Sequence, residues 1–114
     1  MKIYHNNNCS KSCSVLDIIK QNGIQPEVKE YINEPPTHIE LQELLKLLGL
    51  TPLELIRQKE PLFQEKFLNK RFTDAQWIDI MVQNPILIER PIVISGSKAV
   101  IARPIERIFE LINK

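Results

Sequence analysis

The stretch "YHNNNCSKSCSVLDIIKQNGIQPEVKEYI", residues 4–32, predicts how the fold begins. A short strand at residues 3–4 gives way to a polar asparagine loop, and a helical pattern then runs from about Ser12 to Asn22. Gly23 provides a natural helix end, and Glu27–Ile32 is predicted to form a second strand. The residues expected on the buried side of the helix are Val15, Leu16, Ile18 and Ile19. This order of elements predicts a right-handed crossover between parallel strands.

The middle of the chain, at about residues 36–84, is predicted to be a block of helices. Three helix starts carry a capping-box pattern, a threonine followed three residues later by Glu or Gln, at Thr37, Thr51 and Thr73. A further short helix is predicted from Pro61 to Leu68. These signals make the block a helical insertion between two regions that contain strands.

The last quarter of the chain predicts a hairpin and a final helix. Pro91–Ser95 and Lys98–Ala102 are expected to pair as antiparallel strands across the turn at Gly96. Pro104 is expected to open the last helix, whose inward residues are predicted to be Ile105, Ile108, Phe109 and Ile112.

The resulting order, β-α-β, helices, then β-β-α, predicts the α/β fold class, with one mixed sheet and helices on its faces. The simplest named architecture with this order is thioredoxin-like, here with a helical insertion. The length of 114 residues fits one domain, residues 1–114.

Composition narrows the classes of protein to consider. A net charge of +1 argues against a surface for nucleic acid or anionic membrane. The longest apolar runs, such as residues 86–88, are too short to span a bilayer, and Met1-Lys2 leads directly into a strand, so we expect no signal peptide. We therefore expect a soluble cytoplasmic protein. Two cysteines are too few for a disulfide-stapled scaffold.

Cys9 lies where the first strand gives way to the helix. Backbone N–H groups and the positive end of the helix dipole favour a thiolate at such a position. Ser10 and Ser12 can donate hydrogen bonds, while Lys11 and a protonated His5 would add positive charge. The alternative is an inert buried thiol, which the surrounding asparagines and serines argue against.

Cys13 follows four residues later and has two interpretations. Positions four apart on a helix have Cβ atoms about 5–6 Å apart, farther than the roughly 3.5–4.5 Å of a disulfide. Cys13 is therefore a resolving thiol only if Cys9 can swing in its loop, and otherwise a passive helix residue. Zinc binding is disfavoured, because only His5 and His38 could complete four ligands, so no metal is expected.

Three arginines stand in notable contexts: Arg57 near the end of a short helix, Arg90 before Pro91, and Arg103 before Pro104. The guanidinium fork suits oxyanions, although any single arginine taken alone is more readily explained as a solvated surface charge. Thioredoxin-like folds carry a cis proline where a strand opens after the helical block. Such a bond before Pro91 would direct Arg90 towards the cysteine loop.

Five segments together resemble the glutaredoxin-coupled arsenate reductase family. They are "YHNNNCSKS" (residues 4–12), "EPP" (34–36), "LLGLTPLELIRQKE" (47–60), "FTDAQWIDIMVQNPILIERPIVI" (72–94) and "ARPIE" (102–106). They occur in order over nearly the whole chain. The resemblance implies the same thioredoxin-like fold with a helical insertion.

The resemblance also implies roles for individual residues. Cys9 matches the catalytic nucleophile, His5 a histidine that helps to lower its pKa, and Ser12 a serine of the anion loop. The arginines that match those binding arsenate and the arsenite product are Arg57, Arg90 and Arg103. The implied mechanism needs no bound cofactor: the Cys9 thiolate attacks arsenate, glutathione acts as co-substrate that reduces the arsenic, and glutaredoxin reduces the remaining mixed disulfide.

Two departures from the family pattern leave alternatives open. Cys13 stands where family members commonly carry arginine, which allows an intramolecular route in place of glutathione. The sequence also ends at Lys114, which resembles a short branch of the family. A thiol reductase with another substrate is thus one alternative. A redox-sensing regulator that binds a protein such as RNA polymerase is another, although regulators of that kind carry two residues, not three, between their cysteines.

Overall fold

A computed structural model describes residues 1–112 and contains one four-stranded mixed sheet. Its strands are β1 (Lys2–His5), β2 (Glu27–Glu30), β3 (Ile92–Ser95) and β4 (Lys98–Ile101), in the spatial order β2-β1-β3-β4. β1 is parallel to β2 and antiparallel to β3, and β3 is antiparallel to β4. The predicted α/β, thioredoxin-like fold class is confirmed.

The helices follow the predicted order. They are α1 (Ser10–Gln21), α2 (His38–Leu48), α3 (Pro52–Leu55), α4 (Pro61–Lys66), α5 (Asp74–Gln83) and α6 (Phe109–Ile112), with 3₁₀ helices at Pro85–Leu87 and Ile105–Ile108. All three predicted capping boxes form, at Thr37, Thr51 and Thr73. Within residues 1–112, none of these helices combines the length and the apolar character needed to cross a bilayer.

The described residues form two compact units. Residues 1–34 and 90–112 contain the sheet, α1 and α6, and residues 35–89 contain α2 to α5. One apolar core cluster of the sheet unit contains Ile3, Val15, Ile19, Val93, Val100, Ala102, Ile108 and Leu111. A single domain over residues 1–114 remains a prediction, and its last two residues lie outside the described part.

β2 ends two residues earlier than predicted. The carbonyl of Glu30 accepts hydrogen bonds from the backbone N–H groups of Asn33 and Glu34, at 3.1 and 2.9 Å. These bonds turn the chain at Glu30, so residues 31–32 leave the sheet. The hairpin strands are each one residue shorter than predicted, at Pro91 and at Ala102.

The final helix differs in its inward face. The prediction that Phe109 faces the core is wrong: its side chain is 38% exposed, and Leu111 is buried instead. The segment begins as a 3₁₀ helix, in which residues three apart lie on the same side. Ile108 and Leu111 therefore share the buried side, whereas the α-helical spacing used for the prediction selects a different set.

Candidate active site

The pairing of the strands gathers several polar side chains at one edge of the sheet. His5, the last residue of β1, is the register partner of Glu30 in β2. Ile92 of β3 pairs with Ile101 of β4, and the N–H of Ala102 donates to the carbonyl of Pro91 at 2.9 Å. Arg90 directly precedes Pro91 and Arg103 directly follows Ala102, so both arginines lie at this end of the hairpin. Two arginines and a histidine thus lie at the edge from which α1 departs.

Cys9 occupies the N-cap position of α1, which begins at Ser10 rather than at the predicted Ser12. Its backbone is extended (φ −107°, ψ 115°), its N–H donates to the carbonyl of Asn6, and its own carbonyl accepts from Cys13, both at 3.0 Å. At an N-cap, a side chain faces the amides of the second and third helical residues. Those residues are Lys11 and Ser12.

The surroundings of Cys9 stabilise its thiolate. Partial burial raises the pKa of the thiol, but the amide of Ser12, the charge and a hydrogen bond of Arg90, and the amide of Lys11 together outweigh that effect. The pKa of Cys9 therefore lies below its ordinary value. Arg90 thus faces the cysteine, and the peptide bond between Arg90 and Pro91 is cis, as predicted.

This arrangement suits nucleophilic attack on an anion. The thiolate is the reactive form of cysteine, and the thiol of Cys9 is free and only partly buried. A guanidinium and a helix N-terminus beside it offset the negative charge that an oxyanion brings. Lys11 contributes through its backbone amide, and its side chain is exposed.

His5 and Ser12 form a buried pair below the loop. Nδ1 of His5 lies 2.6 Å from Oγ of Ser12, and Oγ also accepts from the backbone N–H of Asn6 at 3.1 Å. Nε2 of His5 lies 2.7 Å from Oδ1 of Asn7. The hydroxyl of Ser12 thus holds the loop together, while its amide acts on the sulfur of Cys9.

Cys13 lies in the first turn of α1 with a free thiol. Its Sγ donates to the backbone carbonyl of Asn7 at 3.5 Å. Its backbone N–H closes the first helical hydrogen bond, to the carbonyl of Cys9. A role for Cys13 as resolving thiol stays a prediction.

The other two arginines have defined places in their own units. Arg103 directly follows β4, its N–H donates to the carbonyl of Ile101 at 2.8 Å, and its bond to Pro104 is also cis. Arg57 lies in the helical unit, where Nη2 pairs with Glu60 and Nη1 donates to the carbonyl of Ile86, both at 3.2 Å. Their roles as oxyanion ligands stay predictions.

Two polar residues of the site were not predicted from the sequence. The side chain of Asn7 bonds to His5 and donates from Nδ2 to the carboxylate of Glu30. The position of Asn7 between the histidine and the cysteine was a usable signal. Glu30 had none, because only the parallel register of β1 and β2 brings it beside His5.

Within residues 1–112, no group of three or more metal-ligating side chains comes together. His38, considered above as a zinc ligand, instead places Nδ1 2.6 Å from the carboxylate of Asp79 in the helical unit. Cys9 and Cys13 are both free thiols.

Comparison with known proteins identifies the family of this chain. A family model described as "ArsC family" matches residues 4–111. "Uncharacterized protein YfgD" of Escherichia coli K12 is 45% identical over 99% of this chain and 97% of its own length, and an Escherichia coli arsenate reductase is 38% identical over 96% and 79%. The solved structure "Arsenate reductase from Vibrio cholerae" has a TM-score of 0.90 and 38% identity, covering 96% of this chain and 94% of that one. This chain therefore belongs to the ArsC family.

Proposed function

We propose that this protein is a thiol-dependent arsenate reductase. The observation that carries the proposal is the Cys9 thiol at the N-cap of α1, with a lowered pKa and Arg90 beside it. Two further findings support it: the chain belongs to the ArsC family, and relatives at 37–38% identity are named arsenate reductases.

The reaction begins with the Cys9 thiolate attacking the arsenic of arsenate. An arsenic–sulfur bond forms, and one arsenate oxygen leaves as water after taking up protons. Arg90 neutralises part of the negative charge, which otherwise repels the thiolate from the oxyanion. The amides of Lys11 and Ser12 are suited to bind an oxygen of the bound anion as well as the free sulfur.

The two-electron reduction then needs a second thiol. Glutathione attacks the sulfur of Cys9, the arsenic–sulfur bond breaks, and its electron pair stays on arsenic, which leaves as arsenite. The product on the protein is a mixed disulfide between Cys9 and glutathione. Glutaredoxin reduces that disulfide and restores the thiol. Such a cycle needs a reduced glutathione pool, which places the protein in the cytoplasm.

The remaining site residues take supporting roles in this proposal. Arg103, which directly follows β4, and Arg57 bind the oxyanion and the arsenite product, and Ser12 belongs to the anion loop. His5 assists the thiolate of Cys9 by holding Ser12. Cys13 competes with glutathione as the second thiol only if the side chain of Cys9 can swing towards it.

The direct test is arsenate-dependent oxidation of glutathione with glutaredoxin supplied. Wild type is expected to turn over, and Cys9→Ser is expected to lose turnover completely. Cys13→Ser decides the source of the second thiol: unchanged turnover assigns it to glutathione, and trapping of a Cys9 adduct in the absence of glutathione assigns it to Cys13. Equal inactivity of wild type and Cys9→Ser with arsenate would refute the proposed substrate.

A further inference from the structure

The buried imidazole of His5 is held from both sides. Nδ1 lies 2.6 Å from Oγ of Ser12, and Nε2 lies 2.7 Å from Oδ1 of Asn7. A carboxamide oxygen only accepts, so Nε2 must carry a proton. The hydroxyl of Ser12 already accepts from the N–H of Asn6 and can donate its own hydrogen to Nδ1. The tautomer with hydrogen on Nε2 therefore satisfies every bond.

That tautomer depends on which way the carboxamide of Asn7 faces. Oxygen and nitrogen of an asparagine side chain have nearly the same shape, so packing alone does not select the orientation. Glu30 does select it, because an ionised carboxylate only accepts hydrogen bonds and the group of Asn7 that faces it must be Nδ2. The oxygen of the carboxamide is then the atom left to face His5.

The chain of bonds therefore runs from the end of β2 to the helix N-terminus. Glu30 orients Asn7, Asn7 sets the tautomer of His5, and His5 accepts from the hydroxyl of Ser12. Ser12 is also the third residue of α1, and the amide at that position points towards the side chain at the N-cap, which here is Cys9. A second contact strengthens the link, because the carbonyl of Asn7 accepts from the thiol of Cys13 on the same helical turn.

We propose that Asn7 and Glu30 are positioning residues of the Cys9 site, which hold His5 in one tautomer and thereby hold the Ser12 amide against the reactive sulfur. The inference rests on the proposed function only in taking Cys9 as the reactive thiol. Neither Asn7 nor Glu30 needs to touch the substrate.

Both residues can be changed without disrupting the core. Asn7 is exposed and Glu30 half-buried, and they line a polar cavity of about 240 Å³ together with His5 and neighbouring asparagines. Glu30→Gln keeps the size of the side chain and Asn7→Leu changes an exposed one, so both variants are expected to fold. Glu27 provides a matched control, because it is an exposed glutamate at the other end of the same strand, paired with Lys2 at 3.4 Å.

The test measures the rate of Cys9 alkylation by iodoacetamide against pH, with the labelled peptide identified by mass spectrometry. In Glu30→Gln, the new amide can face Asn7 with either atom, so the orientation of Asn7 is no longer selected. We expect Cys9 labelling at pH 7 to fall roughly two- to tenfold, the effect of losing one ordinary hydrogen bond, with the profile moved to higher pH. Asn7→Leu should match it, and Glu27→Gln should label like wild type.

A second measurement separates positioning from general loosening. Nitrogen-15 chemical shifts of the His5 ring should show one tautomer, protonated on Nε2, in wild type and in Glu27→Gln. Glu30→Gln and Asn7→Leu should show a mixture. An unchanged tautomer with unchanged labelling in both variants would overturn the proposal, and so would an equal loss of labelling in Glu27→Gln. Neither measurement uses arsenate, so the positioning role can be accepted or rejected even if arsenate proves not to be the substrate.

Discussion

Replacing Ser12 by alanine tests the buried network most directly. The side chain is completely buried, and its hydroxyl bonds to both the imidazole of His5 and the backbone N–H of Asn6. Alanine would leave both groups without this partner, and the imidazole of His5 is itself buried. Each buried polar group left unsatisfied costs about 1–3 kcal/mol.

The magnitude follows from two opposing effects. Loss of the hydroxyl costs about 1–3 kcal/mol if one of the two groups finds another partner, and more if neither does. Alanine has a helix propensity better than that of serine by about 0.5 kcal/mol, which offsets a small part. We therefore expect Ser12→Ala to lower the free energy of unfolding by about 0.5–2.5 kcal/mol if one group finds another partner, and by more if neither does.

Ser14→Ala is the matched control, because Ser14 lies on the same helix with an exposed side chain. It should gain the propensity without losing a buried bond, so its stability should change by less than about 0.5 kcal/mol. Urea unfolding followed by far-ultraviolet circular dichroism measures both variants. If the two variants unfold at the same urea concentration, the hydroxyl of Ser12 does not hold the loop, and the assignment of the network is wrong.

Three further outcomes are expected. Because the thiolate is the attacking form, alkylation of Cys9 should stay fast at pH values where a free cysteine, with a pKa of about 8.5, has slowed. Arg90→Met removes a charge and a hydrogen bond that lower the pKa of Cys9, so the alkylation profile should move to higher pH. Arg71→Met, at an exposed position, should leave the profile in place. Thr37→Ala breaks a capping box of the helical unit and should lower the free energy of unfolding by about 1 kcal/mol; equal urea midpoints for variant and wild type would contradict this. Ile19 is fully buried in the core of the sheet unit, so Ile19→Ala should lower the free energy of unfolding by about 2–5 kcal/mol and Ile19→Val by only about 0.5–1.5 kcal/mol. Similar losses from both variants would show that the core around Ile19 is loosely packed.

The helix starts were predictable because their signals are local. A threonine cap and its partner three residues later lie within one turn, and all three capping boxes form where the residues indicate them. The same local reasoning failed at Phe109, because the residue types in this segment do not indicate that it begins as a 3₁₀ helix. One change of helical pitch was enough to move the buried side to Leu111.

The reactive cysteine was also accessible from local sequence. A polar loop between a strand and a helix predicts exposed amides and a favourable dipole, and Cys9 lies at that junction. The resemblance to a family then indicated which arginines matter. Arg90 does face Cys9, as expected. For Ser12 and Lys11, the sequence suggested that the hydroxyl and the side-chain charge act on the sulfur of Cys9. In the structure the backbone amides of these two residues do so.

Residues 4–32 were thus sufficient to indicate a parallel β-α-β unit with a thiol at its turn, because helix caps, glycine stops and strand alternation act between neighbours in the chain. The partnership of Glu30 with Asn7, and the placement of Arg90 and Arg103 at one end of the hairpin, came from folding. These contacts depend on strand register, and register is settled by which apolar side chains pack into a shared core many residues apart.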